Sequence, residues 1–184
     1  MFAQTQNELH NMKHMSILAV SLLALVACTP EKKQEADYSQ YVNPMIGTDF
    51  TGNTYPGAQV PFGMVQLSPD NGLPGWDRIS GDFYPDTTIA GFSHTHLSGT
   101  GAGDLYDISF MPVTRPYKEA PAPLGIYSTF SHNDEAASAG YYRVLLKDYN
   151  INVELTATER CGIQRYTFPE AEASVFLHLK KAMN

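Results

Sequence analysis

The stretch 141-YYRVLLKDYNINVELTATERCGIQRYTF-168 is the most informative about the fold, because its apolar and polar residues alternate between short polar breaks. Within it, polar residues separate four apolar ones: Ile151, Val153, Leu155 and Ala157. A period of two residues is typical of a half-buried β-strand. Segments of similar character are 141–147, 161–168 and 174–179. Four strands about ten residues apart predict antiparallel pairing, in a sandwich or in a barrel.

The residues before this stretch favour turns over helices. Glycine and proline are dense in 41–67, and further turn-rich loops are predicted at 70–81 and 91–103. Such segments cannot be helical for long. One helical turn is predicted within 134–139. Together with the alternating stretch, these features predict a mainly β protein built as an antiparallel β-sandwich.

The composition is that of a globular chain with an acidic balance. The 184 residues are 43% hydrophobic, which is enough for a core, and the formal net charge is −7. A nucleic-acid-binding surface needs clustered lysine and arginine to neutralise phosphates, so we expect no nucleic-acid partner. The length suits one ordinary domain, or one domain with an export segment.

The N-terminal region has the pattern of an export signal. Residues 16–27, SILAVSLLALVA, carry no charge, and Lys13 lies shortly before them. A short basic region before a short apolar run is typical of a secretory signal, and the run is too short for a comfortable membrane span. Because the first residues are polar, translation could start at Met1, Met12 or Met15.

The apolar run ends in Leu25-Val26-Ala27-Cys28, which resembles the lipobox of bacterial lipoproteins. We therefore predict a signal peptide over 1–27, lipidation of Cys28, and a charged, flexible tether over 28–37. The protein would be exported and anchored to a membrane by lipid at the cell envelope, in the periplasm or at the cell surface. The alternatives are a buried helix that ends in cysteine and a disulfide with Cys161. Cys161 itself lies in a strand pattern and is expected to be a small buried hydrophobe.

Two histidines form an H-x-H pattern, His94-Thr95-His96. On a strand they would point to the same face and could hold a metal such as zinc, with oxygen ligands from Asp104 or Asp107. No third ligand has a telling spacing, so structural or substrate-contacting histidines are favoured over a metal site.

The single tryptophan, Trp76, lies in the loop Gly72-Leu73-Pro74-Gly75-Trp76-Asp77-Arg78. An aromatic ring on such a loop can be a platform for a sugar ring, and a core tryptophan is the alternative. The run Gly99-Thr100-Gly101-Ala102-Gly103 could cradle an anion, although a tight turn is favoured. Sequence spacing alone cannot pair the carboxylates that glycoside hydrolysis needs among Asp70, Asp77, Asp82, Asp104 and Asp107.

Five short segments, taken together and in their order, indicate a protein family more specifically than any one of them does. They are YVNPMIGT at 41–48, YPGA at 55–58, PFGMVQLSPD at 61–70, GFSHTHLSGTG at 91–101 and TATER at 156–160. This series resembles the N-terminal domain of glycoside hydrolase family 92, a family of exo-acting α-mannosidases. The resemblance covers the chain from about residue 38 to its end.

The resemblance implies a β-sandwich domain over 38–184, followed in the family by a larger (α/α)6-barrel domain that we expect to be missing from an N-terminal fragment. The family removes terminal α-mannose, often α-1,2-linked, with inversion and with a bound calcium ion. Inversion needs an acid and a base carboxylate separated by room for water, and calcium takes oxygen ligands. In the family these groups belong to the second domain, so the resemblance implies no catalytic residue and no metal ligand in this chain.

The resemblance also implies where this domain would meet a mannose-terminated glycan. Trp76 matches the tryptophan that lines the mannoside site, and the loop from His94 to Asp104 matches a stretch that faces the partner domain. The implied substrate-binding set is Trp76, Asp77, Arg78, His94, His96, Ser98, Gly99, Gly101 and Asp104. We expect the fragment alone to be inactive. The alternative is a non-catalytic surface module that binds glycans or a protein.

Overall fold

The computed structural model describes residues 36–99, 105–121, 124–170 and 172–179. The predicted signal peptide, Cys28 and nearly all of the predicted tether lie outside these residues, as do Gly101 and Asp104. The chain divides into two compact units between Asp37 and Tyr38, and every strand described below belongs to the second unit. Within the described residues, no helix is long and apolar enough to cross a membrane.

Short strands dominate the described part of the chain and confirm the predicted mainly β fold. The strands are β1 (Ala58–Gln59), β2 (Gln66–Asp70), β3 (Thr88–Ile89), β4 (Gly91–Ser93), β5 (Ser109–Thr114), β6 (Ser128–Thr129), β7 (Glu135–Ser138), β8 (Tyr141–Leu146), β9 (Ile151–Ala157), β10 (Gly162–Thr167) and β11 (Ala173–His178). The helical elements in these residues are 3₁₀ turns at Ser39–Tyr41, Trp76–Arg78 and His132–Asp134.

Two antiparallel sheets share one apolar core. The first sheet has the order β1-β2-β4-β5-β11 and the second has the order β10-β9-β8-β7, while β3 and β6 form a separate pair. Leu67 and Phe92 of the first sheet belong to the same buried cluster as Val153 and Leu155 of the second. A core between two sheets is the sandwich alternative of the sequence prediction rather than the barrel.

The alternating stretch forms three neighbouring strands of the second sheet. Val144 of β8 lies opposite Val153 of β9, and Leu155 of β9 lies opposite Gln164 of β10. Ile151 is buried with the other apolar residues of β9, because a period of two places them all on the core face. The fourth predicted strand, β11, joins the first sheet instead and pairs with β5.

Three local predictions are wrong. The segment 134–139 is mostly strand β7 rather than a helical turn, because it pairs with β8 and its backbone groups find partners across the hairpin. Cys161 is free and exposed rather than buried, because it lies in the turn between β9 and β10. The loop predicted over 91–103 begins as β4, which pairs with β2 and β5.

Candidate functional site

Trp76 is exposed, with 65% of its surface accessible. It begins the 3₁₀ turn Trp76–Arg78, in the loop that follows β2. A core tryptophan would be buried, so the alternative considered from the sequence does not hold. The sole indole of the chain is therefore available at the surface of a loop.

Arg78 braces the turn that carries Trp76. Its guanidinium donates two hydrogen bonds to the Asp86 carboxylate, from Nε to Oδ2 and from Nη2 to Oδ1, each 2.5 Å long. The same guanidinium lies 4.8 Å from the centroid of the Phe83 ring. The hydrogen bond with Asp86 raises the pKa of Arg78 above its usual value. A two-point contact of this kind fixes geometry as well as adding energy, so Arg78 is a positioning residue for Trp76.

Asp82 is a buried carboxyl in the segment that follows this turn. Burial raises the pKa of Asp82 well above its usual range, and the charges of Glu135 and Asp86 raise it further. A hydrogen bond with Asn71 acts in the opposite direction. Since desolvation disfavours the charged form, Asp82 holds its proton more tightly here than in water.

His96 is buried, and both of its ring nitrogens face hydrogen-bond acceptors. Nδ1 lies 2.7 Å from the Gln66 carbonyl oxygen, and Nε2 lies 2.9 Å from Asp70 Oδ1. The hydroxyls of Ser93 and Ser109 donate to the two oxygens of the same carboxylate, at 2.8 and 3.1 Å. Both ring nitrogens of His96 therefore have hydrogen-bond partners inside the protein. The ring of His96 is directed into the protein, so its contribution to a surface site is to hold the loop after β4.

The loops that carry His96 and Trp76 meet at Gly81. A Cβ atom on Gly81 would lie 2.8 Å from Cδ2 of His96 and 2.8 Å from Cε1 of Tyr106. The hydroxyl of Tyr106 donates to the carbonyl oxygen of Ile79, directly after the turn that carries Trp76. The structure thus brings together two of the predicted site segments, which are separated in the sequence.

A third loop is attached to both. The Ser80 hydroxyl donates to the Thr54 carbonyl oxygen at 2.9 Å, and the Gly99 N–H donates to the Asn53 carbonyl oxygen at 2.7 Å. Hydrogen bonds therefore join three loops into one unit. We call this unit the loop cluster, and it consists of residues 46–54, 76–81 and 94–99.

The loop cluster presents both polar and apolar groups to solvent. Asp77, Ser98 and Gly99, which belong to the predicted substrate-binding set, are exposed. The exposed apolar side chains of the same three loops are Ile46, Phe50, Trp76 and Leu97. Several exposed apolar side chains on connected loops indicate a surface that binds a ligand or another domain.

His94 is placed apart from His96. Its Nδ1 lies 3.0 Å from the Ile108 carbonyl oxygen, and its ring meets the Phe110 ring edge to face at a centroid distance of 5.6 Å. It also borders a cavity of about 310 Å³ that Gly162 of β10 lines. His94 and His96 contact different residues. Strand β4 ends at Ser93, so the H-x-H pattern does not lie on a strand and its two rings need not share a face.

The described residues do not fit a metal site. Among them, no group of three or more histidine, cysteine, aspartate or glutamate side chains could hold an ion. The carboxylates of Asp70 and Asp86 are hydrogen-bonded to protein partners, His96 and Arg78. Within the described residues, His94 and His96 therefore belong to no cluster of three such side chains that could hold zinc.

Sequence reasoning missed the residues that connect the loops. Gly81 and Tyr106 carry no chemistry that a motif would reveal, and they meet His96 only in the folded chain. The opposite charges of Arg78 and Asp86, on either side of a turn, were a usable signal for an ion pair.

Solved mannosidases resemble this chain in both sequence and structure. An alpha-mannosidase of family GH92 from Bacteroides thetaiotaomicron, solved in complex with mannoimidazole, is 45% identical with a TM-score of 0.72, over 77% of this chain and 19% of that chain. An inverting mannosidase of the same family, from Bacteroides thetaiotaomicron VPI-5482, is 31% identical with a TM-score of 0.64, over 79% of this chain and 20% of that chain. A curated relative from Arthroderma benhamiae, described as an uncharacterized secreted glycosidase, is 26% identical over 172 residues, which are 88% of this chain and 21% of the relative.

The antiparallel β fold and these relatives define the chain as a domain of a glycosyl hydrolase. A family model described as the glycosyl hydrolase family 92 N-terminal domain matches residues 41–184. The chain belongs to glycosyl hydrolase family 92, in which it corresponds to the N-terminal domain. It spans about one fifth of the length of the relatives it matches. The resemblance seen in the sequence is confirmed.

Proposed function

We propose that this chain supplies one wall of the substrate pocket in an exo-acting α-mannosidase that acts on mannose-terminated glycans. The observation that carries the proposal is the exposed Trp76 on a braced turn. Aromatic rings at sugar sites offer an apolar face to the pyranose ring, while neighbouring polar groups fix its orientation. The mannosidases among the relatives support mannose as the sugar.

The bracing of Trp76 matters for binding as well as for stability. A ring on a loose loop would lose conformational freedom when a sugar stacks on it, and that loss would weaken binding. Arg78, held by Asp86, keeps the turn in one geometry before the sugar arrives. In this proposal Asp77 offers a carboxylate to sugar hydroxyls at the same turn. Ser98 and Gly99, which are exposed on the loop after β4, contribute to the same wall. Gly101 and Asp104 of the predicted set lie outside the described residues.

The chemical step belongs to the second domain in this proposal. One carboxylic acid protonates the leaving oxygen and one carboxylate activates water, which gives inversion. Sugar hydroxyls would be coordinated by a calcium ion that the second domain would hold. The residues of this chain bind and orient the sugar and shield it from solvent. The exposed apolar side chains Ile46, Phe50 and Leu97 would then contact the second domain.

We further propose that the protein is exported and held at the cell envelope by lipid on Cys28. The apolar run before Cys28 and the charged residues after it support this part of the proposal. The description of one relative as a secreted glycosidase agrees with export. Residues 28–37 would act as a tether that lets the enzyme reach glycans outside the membrane.

A second candidate function is non-catalytic glycan binding, because Trp76 is already exposed on the surface of the described residues. Titration calorimetry of the 184-residue chain with mannose and α-1,2-mannobiose separates the two. Saturable binding by this chain alone favours the binding module, whereas no measurable heat favours a pocket that needs a second domain.

Mannose release tests the main proposal. The chain extended by its downstream reading frame to the length of its relatives should release mannose from α-1,2-mannobiose in the presence of calcium. The 184-residue chain should release none under the same conditions. Turnover by the 184-residue chain, or no turnover by the extended polypeptide, would contradict the proposal.

A further inference from the structure

A tight turn over residues 83–86 holds Arg78, and we call it the Asp86 turn. The N–H of Asp86 donates to the Phe83 carbonyl oxygen at 2.8 Å, which closes the turn. The Asp86 carboxylate accepts both hydrogen bonds from the Arg78 guanidinium, which lies 4.8 Å from the centroid of the Phe83 ring. Since Arg78 braces the turn that carries Trp76, the position of Trp76 depends on where the Asp86 turn is held.

His132 contacts the Asp86 turn through Tyr84. Its Nε2 atom lies 2.7 Å from the Tyr84 carbonyl oxygen. Since a carbonyl oxygen can only accept, Nε2 carries the hydrogen of this bond. The His132 ring also stacks on the Tyr84 ring, with a centroid distance of 3.9 Å and an interplanar angle of 8°. One side chain therefore contacts both the backbone and the side chain of a residue in the turn.

Glu135 of β7 fixes the orientation of the His132 ring. Its Oε2 atom lies 2.5 Å from His132 Nδ1, and its Oε1 atom accepts a hydrogen bond from the Tyr142 hydroxyl at 2.6 Å. The side chain of Glu135 is only 2% exposed, and Tyr142 of β8 is fully buried. A carboxyl group that is held at both oxygens orients the imidazole that it contacts. The ring of His132 is therefore anchored to the second sheet.

Three carboxyl groups lie near one another where the Asp86 turn meets β7. Burial raises the pKa of Asp82, and the charges of Glu135 and Asp86 raise it further. His132 bridges Glu135 and the Tyr84 carbonyl oxygen at this point. Like charges repel strongly in a poorly solvated region, so loss of the bridge would favour separation of the turn from β7.

We propose that His132 is a positioning residue for Trp76. It clamps the Asp86 turn to β7, the Asp86 turn holds Arg78, and Arg78 fixes the turn that presents the indole. The linked side chains are partly buried, with 30% of His132 and 22% of Arg78 exposed, so solvent screens their contacts incompletely. This control over Trp76 goes beyond the proposed function and does not need it, whereas an effect on mannoside binding rests on that function.

A matched pair of variants at His132 separates positioning from plain stability. The amide nitrogen of asparagine lies at the δ position and that of glutamine at the ε position, like the two ring nitrogens of histidine. His132→Asn therefore keeps a donor for Glu135 but not for Tyr84. His132→Gln keeps a donor for Tyr84 but not for Glu135.

NMR order parameters of the backbone N–H groups of residues 76–78 measure how firmly their turn is held. In the 184-residue chain they should be about 0.85, should fall below about 0.6 in His132→Asn and should stay near the parent value in His132→Gln. Urea midpoints should fall further in His132→Gln, because the buried Glu135 then has one partner fewer. Asn133→Ala, at the exposed neighbouring position, should match the parent in both measurements.

A purely structural role for His132 would rank the two variants in the same order in both measurements, and that result would overturn the proposal. Parent-like order parameters for residues 76–78 in His132→Asn would overturn it as well. Failure of the proposed function is a separate result. A mobile turn in His132→Asn, with parent kcat/KM for mannose release by the extended polypeptide, would support this inference and contradict the role of Trp76 in sugar binding.

Discussion

Replacing Gly81 with alanine should loosen the loop cluster, because Gly81 is where two of its loops touch. The added Cβ would lie 2.8 Å from Cδ2 and 2.9 Å from Nε2 of His96, and 2.8 Å from Cε1 of Tyr106. Real Cβ contacts are not this short, so a ring must move. Neither ring moves freely, since His96 is hydrogen-bonded through both nitrogens and Tyr106 through its hydroxyl.

The expected loss in the free energy of unfolding has two parts. The backbone φ of Gly81 is +94°, and a residue with a Cβ in the left-handed region loses about 1–2 kcal/mol. Overpacking in a well-filled site adds about 1–3 kcal/mol. The sum predicts that Gly81→Ala lowers the free energy of unfolding by about 2–5 kcal/mol.

Urea unfolding of the 184-residue chain, followed by circular dichroism, measures this loss. Gly99→Ala is the matched control, because Gly99 has a φ of +101° and nothing lies within 4 Å of its added Cβ. It should show the backbone part alone, about 1–2 kcal/mol. Equal losses for the two variants would refute the contact between the loops.

Three further predictions concern single side chains. Burial raises the pKa of Asp82 well above its usual value, so the folded protein is most stable where Asp82 is protonated in both states, below the unfolded pKa of about 3.9. That stability is lost as the pH rises through the folded pKa of Asp82. Asp82→Asn should remove that decline in urea midpoints measured from about pH 4 to about pH 8, whereas Asp77→Asn, at an exposed position, should leave it unchanged. Arg78→Lys cannot form the two-point contact with Asp86 and should lower the free energy of unfolding by about 1 kcal/mol, measured by the same titration. Cys28→Ala should move the expressed protein from the membrane fraction to the soluble fraction and remove the lipid mass from the N-terminal peptide; an unchanged membrane fraction would contradict lipidation.

The second sheet was predictable because its signal is local. The alternation of Ile151, Val153 and Leu155 predicts which side of the strand is buried, even when its partner strands are not known. The same kind of pattern in β11 could not reveal that this strand crosses to the first sheet, since alternation does not encode the partner strand. β7 was missed because Glu135–Ser138 has no alternation, and its pairing with β8 decides its conformation.

The site was predictable only where the side chain itself carries the signal. Trp76 stood out because an indole among glycines and charges is unusual for a loop. The pairing of His96 with Asp70 spans 26 residues and depends on the fold of three strands, so no spacing rule could find it. His94 and His96 looked equivalent in the sequence, but the end of β4 separates their partners.

In the proposed function, Trp76 forms part of a sugar-binding wall. The most direct measurement is kcat/KM for mannose release from α-1,2-mannobiose by the extended polypeptide carrying Trp76→Ala, beside Ile163→Ala as a control at a similarly exposed apolar position. We predict that Trp76→Ala lowers kcat/KM by about 10-fold or more, the equivalent of about 1.4 kcal/mol, with an unchanged unfolding midpoint. The control should retain full activity. Full activity in Trp76→Ala would contradict the account.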